Sequence, residues 1–316
     1  MPDTAEHLRS PIQKANEFTT TVLTNGKGDM LPSKADQFFQ IAIVNPVLMS
    51  QVDVQLMREP EMQVPKMGWT DQILQPATEG QALGSGAQAR PDLSYVSITT
   101  QKYMGEVPVT NEVFEDNVEA AGLANTLERR IAEKVGQEME IALIKGDTSS
   151  LNPFLAKQDG ILVQATSNTV NNSGATLDMD GLKDAKRALP LQYPRDARTR
   201  KFYTSVDAWE DYAEWWEERI GDSADKHATD YVAAPARGTE VVQVPLWPQD
   251  YGGANTTAVL FMEPKNVLVR IHRAVKVKVI PDERADSVVF LVSLRYGFKY
   301  LHEDAVVKLY NVGIST

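Results

Sequence analysis

Four histidines, His7, His227, His272 and His302, and no cysteine bound the metal and nucleophile chemistry open to this 316-residue sequence. No two histidines stand four apart and no His-Glu-x-x-His run occurs, so the helix face that holds zinc in a hydrolase is missing. The absent thiols exclude a disulfide framework, a thiolate zinc site, an iron–sulfur cluster and a cysteine nucleophile. Gly84-Ser85-Gly86-Ala87-Gln88-Ala89 satisfies a loose Gly-x-Gly-x-x-Ala fingerprint. A dinucleotide loop, however, follows a buried strand and opens a helix, whereas here Glu79-Gly80-Gln81 precedes and Arg90-Pro91 follows. Neither a P-loop lysine motif nor a Gly-x-Ser-x-Gly elbow is present.

The remaining clusters are charged. Of Asp207, Glu210, Asp211, Glu214, Glu217 and Glu218, five lie at helical offsets of one to four and spread over a helix face that is solvated or turned to another subunit. Asp222 and Asp225 lack the alternating oxygen ligands of a calcium loop. Trp209, Trp215 and Trp216 interleave with these acids. The adjacent pair points about 100° apart on a helix, so at least one ring turns inward and the other is free to anchor a contact. Arg270, Arg273, Lys276 and Lys278 could meet phosphate, but the aromatics of a single-strand platform are missing between them, and a ladder facing acidic neighbours is the simpler reading. Nothing here joins a nucleophile, a base and an oxyanion donor. These residues predict a structural or assembly protein rather than an enzyme, with no cofactor and no metal.

The bulk properties agree. Thirty-two basic residues against 43 acidic ones give a net charge of −11, the wrong sign for a protein that wraps nucleic acid by its phosphates. No apolar run reaches the roughly 20 residues of a membrane helix, and the opening MPDTAEHLRS has no signal-peptide core.

The elements that carry these residues are unusual in order. Polar Met1–Met30 predicts either an extended arm or an unstructured terminus. Ser33–Met49 predicts a short helix, capped by Ser33 and stopped by Pro46. Val52–Trp69 and Leu93–Val109 predict two extended arms around a Gly-rich, core-poor tip, Thr70–Pro91. That is a long projecting hairpin or, failing that, a plain surface loop. Asn111–Lys145 predicts one helix of about 50 Å, with Leu123, Leu127, Ile131, Val135, Met139 and Leu143 repeating every fourth residue. A mixed region follows to Pro264, with strands at Gly160–Val163, Phe202-Tyr203, Glu240–Val244 and Ala258–Met262 and helices at Asp180–Leu189 and Val206–Ile220. In Val267–Ile280, Val269, Ile271, Val275, Val277 and Val279 alternate with Arg270, His272, Lys276 and Lys278, as in a half-buried strand. Ser287–Tyr296 and Ala305–Tyr310 add further strands.

This α+β order resembles the major capsid proteins of tailed bacteriophages, the Hong Kong 97 type. Local sequences echo it: Gln158-Asp159-Gly160-Ile161-Leu162 after the long helix, Val259-Leu260-Phe261-Met262 leading to Val267-Leu268-Val269-Arg270, and Leu294-Arg295-Tyr296-Gly297 followed by Glu303-Asp304-Ala305-Val306-Val307-Lys308-Leu309. The resemblance implies an N-terminal arm at 1–31 and a peripheral domain with a spine helix at 32–51 and 109–150. It further implies an extended loop at 52–108, an axial domain at 151–264, and peripheral strands returning to the axial domain at 265–316. It also implies a head protein that self-assembles through hexamers and pentamers into an icosahedral virion shell. That shell, built in the bacterial cytoplasm, would enclose double-stranded DNA without reading its sequence and without a membrane. An encapsulin-type compartment subunit is the alternative.

Scaffolding, portal and decoration proteins are implied partners. Only about 30 residues precede the first predicted helix, so either scaffolding is a separate protein or the chain is already trimmed, and the initial Met favours the former. Some members cross-link a loop lysine to an asparagine of another subunit. The tip here holds no lysine, only Lys66 and Lys102 flanking it, which predicts no such cross-link. The contacts expected with neighbouring subunits are Trp69, Leu74, Leu83 and Arg90 at the hairpin tip, Glu112 and Glu115 with Arg129 and Arg130 as ion-pairing groups on the spine helix, and Trp215 and Trp216 around the capsomer axis.

Overall fold

The computed structural model describes residues 46–69, 74, 79–80, 91–116, 123–195, 199–220 and 238–315. The expected arm, nearly all of the Ser33–Met49 helix and most of the hairpin tip lie outside them. The described part of that helix, 46–49, is a turn.

In chain order the elements are strands β1 (Asp53–Leu56), β2 (Glu61–Trp69), β3 (Pro91–Thr99) and β4 (Gln101–Thr110), then helices α1 (Asn111–Asp116) and α2 (Leu123–Lys145). A one-turn helix α3 (Ile161–Gln164), strand β5 (Thr169–Asn171), helix α4 (Met179–Ala188), strand β6 (Lys201–Thr204) and helix α5 (Val206–Ile220) follow. Strands β7 (Val241–Gln243), β8 (Thr256–Met262), β9 (Val267–Asp282), β10 (Ser287–Tyr300) and β11 (Val307–Gly313) complete the order. Residues 117–122, between α1 and α2, are outside the described set.

Two compact units divide the chain. One comprises 1–43, 102–135 and 274–294; the other comprises 44–101, 136–273 and 295–316.

In the larger unit a five-stranded sheet runs β5-β11-β8-β6-β7. β8 is buried from Thr257 to Met262, so both faces of the sheet are covered and its sequence reads as one apolar run. On one face Phe202, Val259, Phe261, Val307 and Leu309 pack against Leu182, Ala185 and Tyr212 of α4 and α5. Asp178 caps α4, its carboxylate accepting from Gly181 N at 2.7 Å. The turn at 46–52 belongs to the same unit. Its Leu48 is fully buried, and the Val47 and Met49 amides donate to the wholly buried carboxylate of Glu140 on α2 at 3.2 and 2.9 Å. Burial lifts Glu140 above the ordinary glutamate range, and these amide bonds only partly offset the shift.

In the smaller unit β4 lies beside β10, which lies beside β9, and α1 and α2 cover one side. Val109, Val113 and Phe290 form its core, with Leu127, Ile131, Val277 and Val288 packed against them.

Three sequence expectations change. Gly160–Val163 is helical from Ile161, because Val163 N and Gln164 N both donate to Gly160 O, at 3.1 and 2.9 Å. Gly160 instead lies flat on Gly146, donating to its carbonyl at 2.7 Å. A Cβ at Gly160 would stand 2.6 Å from Gly146 N and from Ile144 O. Gly160→Ala is therefore expected to destabilise the chain by about 2–3 kcal/mol, read from urea unfolding midpoints, because the obstacle is backbone and cannot turn aside. An unchanged midpoint would show that this backbone approach relaxes freely.

The arm Leu93–Val109 is not one strand. It breaks at Thr100, whose N and Oγ1 both donate to Pro60 O at 2.9 Å, and β4 then leaves the hairpin to pair with β10. Finally, Arg270 does not sit on a solvated face. It is 3% exposed and bonds Asp53 of β1, which pairs with β9 in parallel.

Candidate assembly surfaces

The hairpin has two unlike faces. β2 and β3 pair antiparallel without a slip from Glu61↔Thr99 to Trp69↔Pro91. Side chains alternate across such a ribbon, so Val64, Val96 and Ile98 share one face while Pro65, Met67, Leu93 and Tyr95 share the other. The first face meets the larger unit, where Val96 and Ile98 pack with Leu268, Val64 and Leu301. Gly297 of β10 lets this base close, since a Cβ there would run into the backbone carbonyl of Thr99.

The second face is bare. Met67 is 65% exposed, Leu93 73% and Tyr95 64%, and the register sets them as the cross-strand pairs Pro65–Tyr95 and Met67–Leu93. Towards the base this face turns polar, with Ser97 Oγ donating to Glu61 Oε1 at 2.6 Å. Among the described residues no layer lies beneath these apolar pairs, and exposed apolar patches of this kind are common at contact surfaces. Leu56, Met57 and Met62 also line an open cavity of about 350 Å³ where β1 leads into β2.

The residues singled out from sequence distribute as follows. Trp69 ends β2 opposite Pro91, and Leu74 is 80% exposed. Leu83 and Arg90 lie outside the described residues. Glu112 is exposed in the first turn of α1, and Glu115 lies further along the same helix. Arg129 and Arg130 both turn to Glu133 of their own helix, at 3.6 and 2.8 Å. Trp215 and Trp216 are half-buried against the α4–α5 core, and Trp215 stacks on Tyr212 with ring centroids 6.1 Å apart. The sequence reading favoured the tip and passed over Pro65, Met67, Leu93 and Tyr95. The signal was there: Leu93 and Tyr95 alternate with Ser94, yet they fall out of phase with Val96 and Ile98, so both faces carry apolar groups.

Several shifted groups cluster at α3, where the Lys308 ammonium lies 3.4 Å from the Tyr251 hydroxyl and both donate to Leu162 O, while the Tyr300 hydroxyl donates to Ile161 O. Burial lowers Lys308, with Glu303 opposing, and its ammonium donates to Leu162 O at 3.0 Å. Lys145 is lowered by burial and partly restored by Asp250. Burial would raise Glu303, but bonds from Ser167 and Thr166 outweigh it and hold the carboxylate low. Among the described residues no three His, Asp or Glu side chains group to hold a metal.

The sequence profile of the phage capsid family matches residues 31–311. The chain belongs to the phage capsid family. A putative prophage capsid protein, YqbE of Bacillus subtilis (strain 168), is 30% identical over 305 residues, covering 95% of this chain and 97% of the relative. Among solved structures, the capsid of a native GTA particle superposes with a TM-score of 0.69 at 18% identity, over 92% of this chain and 99% of that one. The holo-SrpI encapsulin of Synechococcus elongatus PCC 7942 follows at 0.59 and 14%, over 88% and 94%. The fold is the α+β Hong Kong 97-like fold, and this phage capsid family chain is a structural, major capsid shell protein of the virion.

Proposed function

We propose that this capsid protein closes an icosahedral phage head around double-stranded DNA by associating with itself into hexamers and pentamers, and that the outward hairpin face is a principal contact. The observation that carries the reading is the exposed stripe Pro65, Met67, Leu93 and Tyr95 on a ribbon whose other face is already satisfied. Free energy from covering that stripe is available only in an oligomer. The net charge of −11 suits a wall that must not cling to packaged DNA. Assembly in the host cytoplasm, with scaffolding, portal and decoration proteins as partners, completes the reading. Trp69, Leu74, Leu83, Arg90, Glu112, Glu115, Arg129, Arg130, Trp215 and Trp216 are retained as further subunit contacts.

Negative-stain microscopy of the purified full chain, after light scattering, tests this. Closed shells or capsomer rings are expected. A monodisperse monomer at high concentration, with a scaffold supplied, would overturn it. An encapsulin-type compartment would show shells filled with cargo protein rather than DNA.

A further inference from the structure

The turn at 46–52 is tied to the larger unit by two side-chain bonds. Glu140 of α2 is wholly buried, and its two carboxyl oxygens accept from Val47 N at 3.2 Å and Met49 N at 2.9 Å, with the Leu48 amide adding to them. Gln51 Oε1 accepts from the Tyr203 hydroxyl of β6 at 2.8 Å. The chain that precedes Pro46 enters the described residues through this turn, and β1 leaves from its other end.

Among the described residues no cation answers Glu140. On its own helix the residues one turn away are Gly136, Gln137, Leu143 and Ile144, none of them charged. The turn supplies amides only. From β6 comes Tyr203, whose hydroxyl is kept protonated by burial, with Glu240 adding to the effect. Beyond the turn, Asp53 and Arg270 answer each other at 3.0 Å. Two opposed effects therefore act on the carboxyl. Amide donors favour its ionised form, and full burial favours its neutral form. Without a cation to repay the lost hydration, burial prevails. A turn that has swung away leaves the carboxyl in water, where it has the ordinary glutamate affinity for a proton. The closed turn binds that proton more tightly, so by linkage the proton stabilises the closed form and ionisation favours the open one.

We infer that Glu140 is a proton-operated clasp: the turn 46–52 is held shut while the carboxyl carries its proton and loosens when it is ionised. The root of the segment before Pro46 is then fixed in acid and loosened towards neutral pH, while the core of the five-stranded sheet is untouched. The clasp belongs to the single chain and acts whether or not the chain assembles.

Amide hydrogen exchange of the full chain, read by mass spectrometry from about pH 4.5 to about pH 8.5, tests this, each rate being divided by the intrinsic rate at that pH. Peptides covering 46–52 report the clasp, and peptides covering β8 report the core. In the wild-type chain, protection of 46–52 is expected to fall by up to about tenfold per pH unit above the ordinary glutamate range, and to level off once Glu140's own range is passed. β8 should stay flat. Glu140→Gln cannot ionise and should hold protection near the wild-type acid level at every pH. Gln51→Ala removes the Tyr203 bond but keeps the carboxyl, so it should lower protection throughout and retain the slope. Four results would overturn the inference: wild-type protection of 46–52 that is flat or rises with pH; a Glu140→Gln chain that keeps the slope; a Gln51→Ala chain that loses it; or a parallel fall in β8, which makes the opening global. If Glu140→Gln does not fold, the wild-type and Gln51→Ala profiles decide between these outcomes.

Discussion

Placing glutamates at Met67 and Tyr95 together is expected to lower the yield of shells by tenfold or more while leaving the chain folded. Both side chains are about two-thirds exposed in the single chain, Met67 at 65% and Tyr95 at 64%, so neither supports its core. Surface changes of this kind usually move stability by no more than about 0.5 kcal/mol. In an oligomer the same positions are desolvated, and an unpaired carboxylate taken out of water costs at least about 1–3 kcal/mol even when partly compensated. Each 1.4 kcal/mol is about tenfold in an association constant, and a shell repeats the contact at every subunit. The control is Ser94→Glu. Ser94 is exposed and pairs with Lys66 on the other face of the same ribbon, so it adds one of those two charges at nearly the same place. Light scattering and microscopy should find shells from Ser94→Glu and none from the double variant, with circular dichroism alike for both. Equal damage from both would mean that hairpin charge matters and hairpin face does not.

The architecture was legible because its parts are unusual in themselves. Leu123 to Leu143 at every fourth residue mark a long helix from local sequence alone, and α2 runs from Leu123 to Lys145. The alternating Val267–Ile280 run marks a strand, and β9 spans it. What failed to show depended on partners distant in sequence. Gly160-Ile161-Leu162-Val163 reads as a strand by composition, but the neighbour that fixes it is Gly146, and contact between two glycine backbones leaves no side-chain signature. Thr100 looks like any β-branched strand residue, yet its bonds to Pro60 O, 40 residues away, send β3 and β4 into different sheets. The hairpin's contact face was hidden for a related reason. Alternation shows which residues share a face, but only the packing of Val96 and Ile98 against Leu268 tells which face is already taken.

Arg270 carries the last lesson to a measurable end. Alternation placed it outside, but β1 lies along β9 at that point and closes the second face over it. Its guanidinium bonds Asp53 Oδ2 at 3.0 Å, Asp53 O at 3.1 Å and Val269 O at 3.2 Å, while its Nε, also buried, has no acceptor among the described residues. The two partners are unequal: the Arg270 side chain is 4% exposed and that of Asp53 32%. Removing either therefore has a different consequence. Asp53→Ala strands a cation in the interior with only carbonyl oxygens to face, and is expected to cost about 3 kcal/mol or more. Arg270→Met removes the buried charge and its unmatched N–H, keeps much of the apolar stem, and leaves an aspartate that water can reach. Its cost is expected to be near 1 kcal/mol. In the double variant Asp53→Ala should add almost nothing to Arg270→Met, giving a coupling of about 3 kcal/mol in the mutant cycle. Urea denaturation of the three variants measures all of these. If the two single variants lose the same stability, the penalty lies in the broken bond itself. If Asp53→Ala loses far more, it lies in the stranded charge, and β1 holds its place on β9 chiefly because Arg270 must be covered by something that answers it.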